Sequence, residues 1–138
     1  MGSLQVYILH PDEIPIELHP MPSLLTPEIS HQQLKLLCHS ASELSIGSSV
    51  GISIPQIESD FEVQGQIAAC QPGEEGYQVT VAFQQPDNVM RIRMLEQLCY
   101  IHRYRKAVLL QEGRDLSEQE AALEWVAKYA ALFPVDNV

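Results

Sequence analysis

Hydrophobic and polar residues alternate along most of the first two-thirds of the chain, which is the pattern of β-strands with one buried face. Apolar-rich runs cover Leu4–Leu9 and residues 14–19, and three prolines between positions 20 and 27 predict a loop over residues 20–30. Further strands are predicted at residues 34–38, 50–54, 61–67 and 77–83, and a turn is predicted over residues 41–47. Five or six short strands with tight turns favour a small closed barrel, because closure removes exposed sheet edges.

The turn between the last two predicted strands has a strong sequence signal. Residues 71–76 read Gln-Pro-Gly-Glu-Glu-Gly, a composition typical of a tight turn. We therefore expect the strands at residues 61–67 and 77–83 to form an antiparallel hairpin.

The hydrophobic period changes to that of a helix after residue 86. Asp87 is expected to cap a helix over residues 88–112, and Gly113 is expected to end it. Apolar residues lie on more than one stripe of this helix. One stripe must cover the barrel, whereas a second could contact either the next helix, another protomer or a partner protein.

A second helix is predicted by a capping box, with Ser117 as the N-cap and Glu120 reaching back to it. Pro134 is expected to end this helix. We therefore divide the chain into a β-barrel at residues 1–86 and a helical extension at residues 87–138, packed together as a single structural unit.

The composition fits one packed domain. The chain has 138 residues, of which 46% are hydrophobic and 19% charged. No apolar run approaches the roughly 20 residues that a membrane span requires. Residues 1–10 contain no Lys or Arg and so lack the positive start of a signal peptide. We expect a cytoplasmic protein without a membrane span.

Charge is distributed unevenly along the chain. Residues 1–90 contain eleven acidic residues and one lysine, whereas residues 91–138 contain seven residues of each sign. An acidic surface repels phosphate, so we expect no nucleic-acid partner.

Sequence motifs of enzymes are missing. The chain has no GxSxG, HExxH, Walker or GxGxxG motif and no usual zinc-ligand spacing. We therefore predict no catalytic, cofactor-binding or metal-binding residue and do not expect an enzyme.

The three cysteines are expected to be reduced core thiols. We expect the histidines to face solvent or lie in turns, with a metal-binding or pH-sensing role as the alternative: His10, His19, His31, His39 and His102.

Positive charge is concentrated on the first predicted helix. The simpler interpretation is a solvated face whose cations pair with nearby acids. The functional interpretation is a face that docks a partner or an anion. Under the second interpretation, the candidate partner-binding residues are Arg91, Arg93, Met94, Leu98, Ile101, Tyr104 and Arg105.

Three strand motifs follow one another between residues 47 and 83. Gly47 leads into an alternating strand that ends at Ile54. The strand Val63-Gln64-Gly65-Gln66-Ile67 follows, which matches a VxGxV motif with Ile in place of the last Val, and a YxVxVxF strand follows at residues 77–83. In this order the motifs resemble the later half of a PilZ domain. Residues 10–17 also resemble the opening strand of some stand-alone members. The helical residues 90–99 and 113–125 look like the tail of a bacterial subgroup.

The resemblance implies a mainly β fold with α-helices: a small six-stranded antiparallel barrel followed by two C-terminal helices. PilZ domains typically bind cyclic di-GMP through an RxxxR motif and a [D/N]xSxxG motif, whose arginines suit phosphates and guanine edges. Residues 1–34 contain no Arg or Lys, and residues 30–35 lack the second motif. No ligand-binding residue is therefore carried over from the family.

The resulting expectation is a non-enzymatic PilZ-like signalling or adaptor protein. It would act through a protein partner or self-association at its C-terminal helices, without a cofactor and without binding cyclic di-GMP in the usual way. The alternative is a cyclic di-GMP receptor with a relocated or intersubunit basic site, for which the candidates are Arg103, Arg105 and Lys106.

Overall fold

The computed structural model describes residues 4–22, 32–129, 131 and 133. Within these residues it contains six strands followed by two helices. In chain order they are β1 (Leu4–Leu9), β2 (Glu17–Met21), β3 (Gln32–Ser40), β4 (Ser49–Ile54), β5 (Glu58–Gly73), β6 (Gly76–Phe83), α1 (Pro86–Glu112) and α2 (Glu118–Tyr129).

The six strands form one mixed sheet in the order β1-β3-β6-β5-β4-β2. β1 runs parallel to β3, with Leu4 beside Gln32, and the other neighbours are antiparallel. The prediction of a closed antiparallel barrel is therefore wrong, although a mainly β fold with two C-terminal helices is confirmed. Hydrophobic alternation shows which face of a strand is buried but neither its direction nor whether the sheet closes. β1 and β2 lie at opposite edges of this open sheet.

The second strand begins later than predicted. The apolar run at residues 14–19 contains buried Ile14, which precedes β2 in a non-strand segment. Pro20 lies inside β2 opposite Val50, in place of the predicted loop start. An edge strand tolerates proline because one side of its backbone needs no hydrogen-bond partner. The rest of the predicted loop, from residue 23, lies outside the described residues.

The remaining strand predictions are confirmed. β5 and β6 form the expected antiparallel hairpin, but β5 continues to Gly73, which leaves only residues 74 and 75 in the turn. The sheet buries its alternate side chains in one hydrophobic core, which includes Leu34, Leu36, Ile52, Val63, Val79, Val81 and Phe83.

α1 covers this core with one side. It buries Ile92, Leu95 and Cys99 against the sheet. The helix starts at Pro86 after the N-cap Gln85, so Asp87 lies in the first turn and is not the predicted cap. Proline is favoured at the first helical position because a backbone N–H there would have no acceptor within the helix. The division of the chain into residues 1–86 and 87–138 stays a prediction.

The ends of both helices follow their sequence signals. Gly113 adopts a left-handed conformation with φ of 70°, and its N–H donates to the Leu109 carbonyl, which confirms the predicted end of α1. The capping box of α2 is also confirmed: the Glu120 N–H donates to Ser117 Oγ at 3.1 Å, and the Ser117 N–H donates to Glu120 Oε1 at 2.9 Å. Pro134, the predicted end of α2, lies outside the described residues.

Among the described residues, no helix combines the length and the apolar character needed to cross a membrane.

Candidate functional site

The outward side of α1 carries large apolar side chains that are largely exposed. Ile92 and Leu95 face the sheet, so residues about half a turn away point outward. Met90, Met94 and Leu98 have this position and are 66%, 57% and 44% exposed. We call these three residues the outer stripe. Their spacing of four residues places them on one continuous face of the helix.

The same face of α1 is covered further along by α2. Ile101 and Tyr104 pack against the small cluster formed by Val108, Leu116 and Ala121. The outer stripe and this contact therefore lie on the same face of α1. The stripe is the part of that face nearer the N-terminus of the helix.

Arg91 and Arg93 lie on either side of the outer stripe at helical spacing, and both are exposed. The candidate residue Arg105 has a different role. Its Nε donates to the Leu116 carbonyl at 2.7 Å, and its Nη1 lies 4.0 Å from Glu118. Arg105 therefore connects α1 to the segment before α2.

The predicted partner-binding residues thus fall into two groups. The structure places Met94 and Leu98 with Met90 on the outer stripe, flanked by the two arginines. It places the other three candidates at the contact between α1 and α2: Ile101, Tyr104 and Arg105.

The residues of the alternative nucleotide site are largely engaged within the chain. Arg103 Nε lies 3.3 Å from Glu13 Oε2, and Arg105 is held as described above. Lys106 is exposed. A phosphate bound here would have to compete with the Glu13 carboxylate for Arg103 and with the Leu116 carbonyl for Arg105.

An aromatic groove of about 490 Å³ lies beside Arg103. Tyr100 and Trp125 each contact Phe133 edge to face, with ring centroids 5.1 and 5.5 Å apart. Such contacts fix the relative position of α1, α2 and residue 133.

A second cleft, of about 640 Å³, lies between the segment after β1 and the β5–β6 turn. Its lining includes His10, Ile14, His39 and the turn residues 73–76. His39 Nε2 lies 3.5 Å from Asp12 Oδ1 at its rim, where both side chains are exposed.

His10, at the inner wall of this cleft, contradicts the expectation of solvent-facing histidines. It is only 4% exposed, and its Nδ1 lies 2.7 Å from Oε2 of Glu96, which is completely buried. His10 Nε2 donates to the Ile14 carbonyl at 2.6 Å. Burial by itself would lower the pKa of His10, but the hydrogen bond and the charge of Glu96 outweigh it and raise this pKa above its ordinary value.

The other histidines give a mixed outcome. His19 and His39 are exposed, as expected, and His102 is half-buried. Burial and the charges of Lys106 and Arg105 lower the pKa of His102. His31 lies outside the described residues.

The buried pair has a signal in the sequence. Glu96 lies four residues after Ile92 and three before Cys99, on the face that the helical period assigns to the core. A carboxylate at such a position requires a buried partner. The cysteines Cys38 and Cys99 are buried, as expected of core thiols, whereas Cys70 is half-buried; all three are free of disulfides.

Comparisons of the chain with protein-family models, with curated proteins and with solved structures found no match. The function is therefore inferred from the geometry and charge of α1.

Proposed function

We propose that this chain is a non-enzymatic, cytoplasmic, PilZ-like signalling adaptor that binds a partner protein through the outer stripe of α1. The observation that carries the proposal is the alignment of Met90, Met94 and Leu98, three large apolar side chains exposed on one helical face. Methionine side chains are flexible and polarisable, which suits a surface that accommodates a partner.

The partner that fits this surface is an amphipathic helix with acidic residues beside its apolar face. α2 already packs on the part of this face that carries Ile101 and Tyr104. A partner helix placed on the outer stripe would extend the same helix–helix packing. Arg91 and Arg93 flank the stripe and favour acidic residues on the partner.

The lack of cations in the first 34 residues supports a function without the usual nucleotide. Residues 1–34 contain no Lys or Arg, although a dianionic dinucleotide needs several guanidinium contacts. The alternative, a cyclic di-GMP receptor with a relocated basic site, has less support because Arg103 and Arg105 already have partners within the chain.

The outer stripe can be tested by photo-crosslinking in the native host. A photoreactive residue replaces Met94 in one strain and Leu110 in another. Leu110 is 85% exposed and lies on the same helix, but about half a turn away from the stripe. The Met94 probe should form an adduct that the Leu110 probe does not form. Identical adducts from both positions would contradict the proposal.

The crosslinked partner is then purified and titrated calorimetrically with the full chain. Met94→Glu should weaken binding at least about tenfold, because it places a charge in an apolar contact, whereas Leu110→Glu should leave the affinity unchanged. The crosslink could instead join two copies of the chain. If light scattering then shows a dimer that Met94→Glu dissociates, the stripe serves self-association instead.

Calorimetry with cyclic di-GMP separates the two functions. The adaptor should give no binding heat. Micromolar binding that Arg103→Glu and Arg105→Glu abolish would establish the receptor function and overturn the claim of lost nucleotide recognition.

A further inference from the structure

Three potential metal ligands meet beneath α1. One donor atom of each of His10, Glu96 and Cys99 lies within 4.8 Å of the other two, and all three residues are buried. Glu96 and Cys99 lie one turn apart on the inward side of α1, and His10 directly follows β1. Residues that are distant in sequence therefore present a nitrogen, an oxygen and a sulfur to the same small volume.

The backbone around His10 is held firmly in place. The His10 N–H donates to the Leu37 carbonyl at 2.9 Å, which continues the pairing of β1 with β3. The Tyr100 hydroxyl donates to the Leu9 carbonyl and ties the end of β1 to α1. A ligand set on such supported elements needs little rearrangement to bind an ion.

The ring of His10 has the orientation of a metal ligand. Because a carbonyl can only accept, His10 Nε2 carries the proton that it donates to Ile14. The other nitrogen, Nδ1, points at Glu96. Metal-binding histidines typically donate their second ring N–H to a backbone carbonyl or a carboxylate in this way, which fixes the ring and increases the basicity of the ligating nitrogen.

Glu96 provides an independent indication that the cluster is incomplete. Its Oε1 is buried and has no hydrogen-bond partner among the described residues, although Oε2 contacts His10. Buried carboxylate oxygens are normally satisfied, so an unpartnered one requires an explanation. A bound cation would provide it.

We propose that His10 Nδ1, the Glu96 carboxylate and Cys99 Sγ form a binding site for a zinc-type divalent ion. Zinc is bound by imidazole, thiolate and carboxylate together, whereas magnesium and calcium prefer oxygen ligands alone. Binding releases two protons to solvent: the thiol proton of Cys99 and the proton of the hydrogen bond between His10 Nδ1 and Glu96. Both must leave because the thiolate, the unprotonated ring nitrogen and the carboxylate are the ligating forms. Three protein ligands leave one position of a tetrahedral ion for water or a small ligand.

The 640 Å³ cleft offers the ion a route to this site. His10 and Ile14 belong both to the cleft wall and to the hydrogen-bonded cluster. The exposed acids Asp12, Glu74 and Glu75 lie along the same cleft, and their negative charge attracts cations toward it.

The test uses the full chain after chelator treatment and dialysis. Cobalt(II) should produce a thiolate-to-metal charge-transfer band, and zinc should displace the cobalt at one ion per chain by elemental analysis. Cys99→Ala should lose both the band and the stoichiometric zinc. Cys70→Ala removes a half-buried free thiol outside the cluster and should retain both.

A measurement on the wild-type chain keeps the proposal testable if Cys99→Ala does not fold. X-ray absorption at the zinc edge should show one sulfur neighbour together with nitrogen or oxygen neighbours. Any one of three results would overturn the site: a coordination shell without sulfur, no zinc bound at excess metal, or a cobalt band that persists in Cys99→Ala. The cluster would then be a buried ion pair only.

Discussion

At the scale of single residues, Gly65 shows why one position of β5 has no side chain. A Cβ atom at Gly65 would lie 2.6 Å from Val81 Cγ1 and 2.8 Å from Phe83 Cε1. Both neighbours are fully buried in the core, so neither can move away without disturbing its own packing. The glycine therefore lets β6 side chains cover the backbone of β5.

We predict that Gly65→Ala lowers the free energy of unfolding by about 1–3 kcal/mol, the typical cost of overpacking a core. Urea denaturation followed by circular dichroism measures this change. Gly73→Ala is the matched control on the same strand, because its Cβ would meet only the Gly76 carbonyl oxygen, at 3.7 Å. Equal stability losses in the two variants would show that strand propensity, and not contact with Val81 and Phe83, accounts for the effect.

At the scale of elements, the start of α2 depends on two side-chain bonds. Ser117 Oγ accepts from the Glu120 N–H, and Glu120 Oε1 accepts from the Ser117 N–H. These bonds satisfy backbone donors that have no partner inside the helix. The hydrogen bond that the Glu120 carboxylate accepts from the Ser117 N–H, followed by its interaction with the Ser117 side chain, lowers the pKa of Glu120.

Ser117→Ala should reduce stability by about 1 kcal/mol, the usual cost of losing an N-cap, and Ser117→Thr should retain most of it. Amide hydrogen exchange provides the element-specific measurement. Exchange should accelerate in the first turn of α2 and remain unchanged in β5 and β6. Faster exchange throughout the molecule would contradict a local capping effect.

The strands and helices could be predicted because alternation and helical period report burial directly. β1, β3 and α1 begin and end close to their sequence signals, and Gly113 marks the end of α1. The parallel pairing of β1 with β3 could not be predicted in this way, because it depends on which strands become neighbours after the chain crosses the sheet.

The candidate sites were predictable to different degrees. The outer stripe includes Met94 and Leu98, which helical spacing in the sequence places on one face. The pairing of His10 with Glu96 joins positions 86 residues apart in sequence. No local pattern records such a contact, although Glu96 on an apolar helix face already required a partner.

At the scale of the whole molecule, one polar network holds α2 against α1 and the segment that connects them. Arg114 donates to both carboxylate oxygens of Glu124, at 2.9 and 3.1 Å, and the Tyr104 hydroxyl donates to Glu124 Oε1 at 2.7 Å. Lys128 Nζ donates to the Tyr104 hydroxyl at 2.9 Å. The hydrogen bonds from Arg114, followed by the one from Tyr104, lower the pKa of Glu124 to about 2.

This lowered pKa predicts a component of acid denaturation. The folded state favours the charged form of Glu124, so its contribution to stability is fully present above the ordinary pKa of 4.5 and is lost as the pH falls toward about 2. Glu124→Gln should therefore flatten the dependence of unfolding free energy on pH between these values. Equilibrium denaturation at several pH values measures it.

Carboxyl NMR provides the site-specific check on this prediction. Glu124 should titrate with a midpoint of about 2, and Arg114→Gln should move that midpoint toward 4.5. An unchanged midpoint in Arg114→Gln would show that the guanidinium does not cause the shift.

From the parallel pairing of β1 with β3 we also expect an order in which the strands pair during folding. β5 and β6 close a hairpin in which Gly73 pairs with Gly76, whereas Leu4 pairs with Gln32 only after the intervening chain has crossed to the opposite sheet edge. Closing the longer loop costs more entropy and delays this contact. His10 follows β1 directly and so reaches Glu96 late in folding. A zinc ion at this position would be captured only by a nearly complete molecule, and its release would be coupled to detachment of the N-terminal strand.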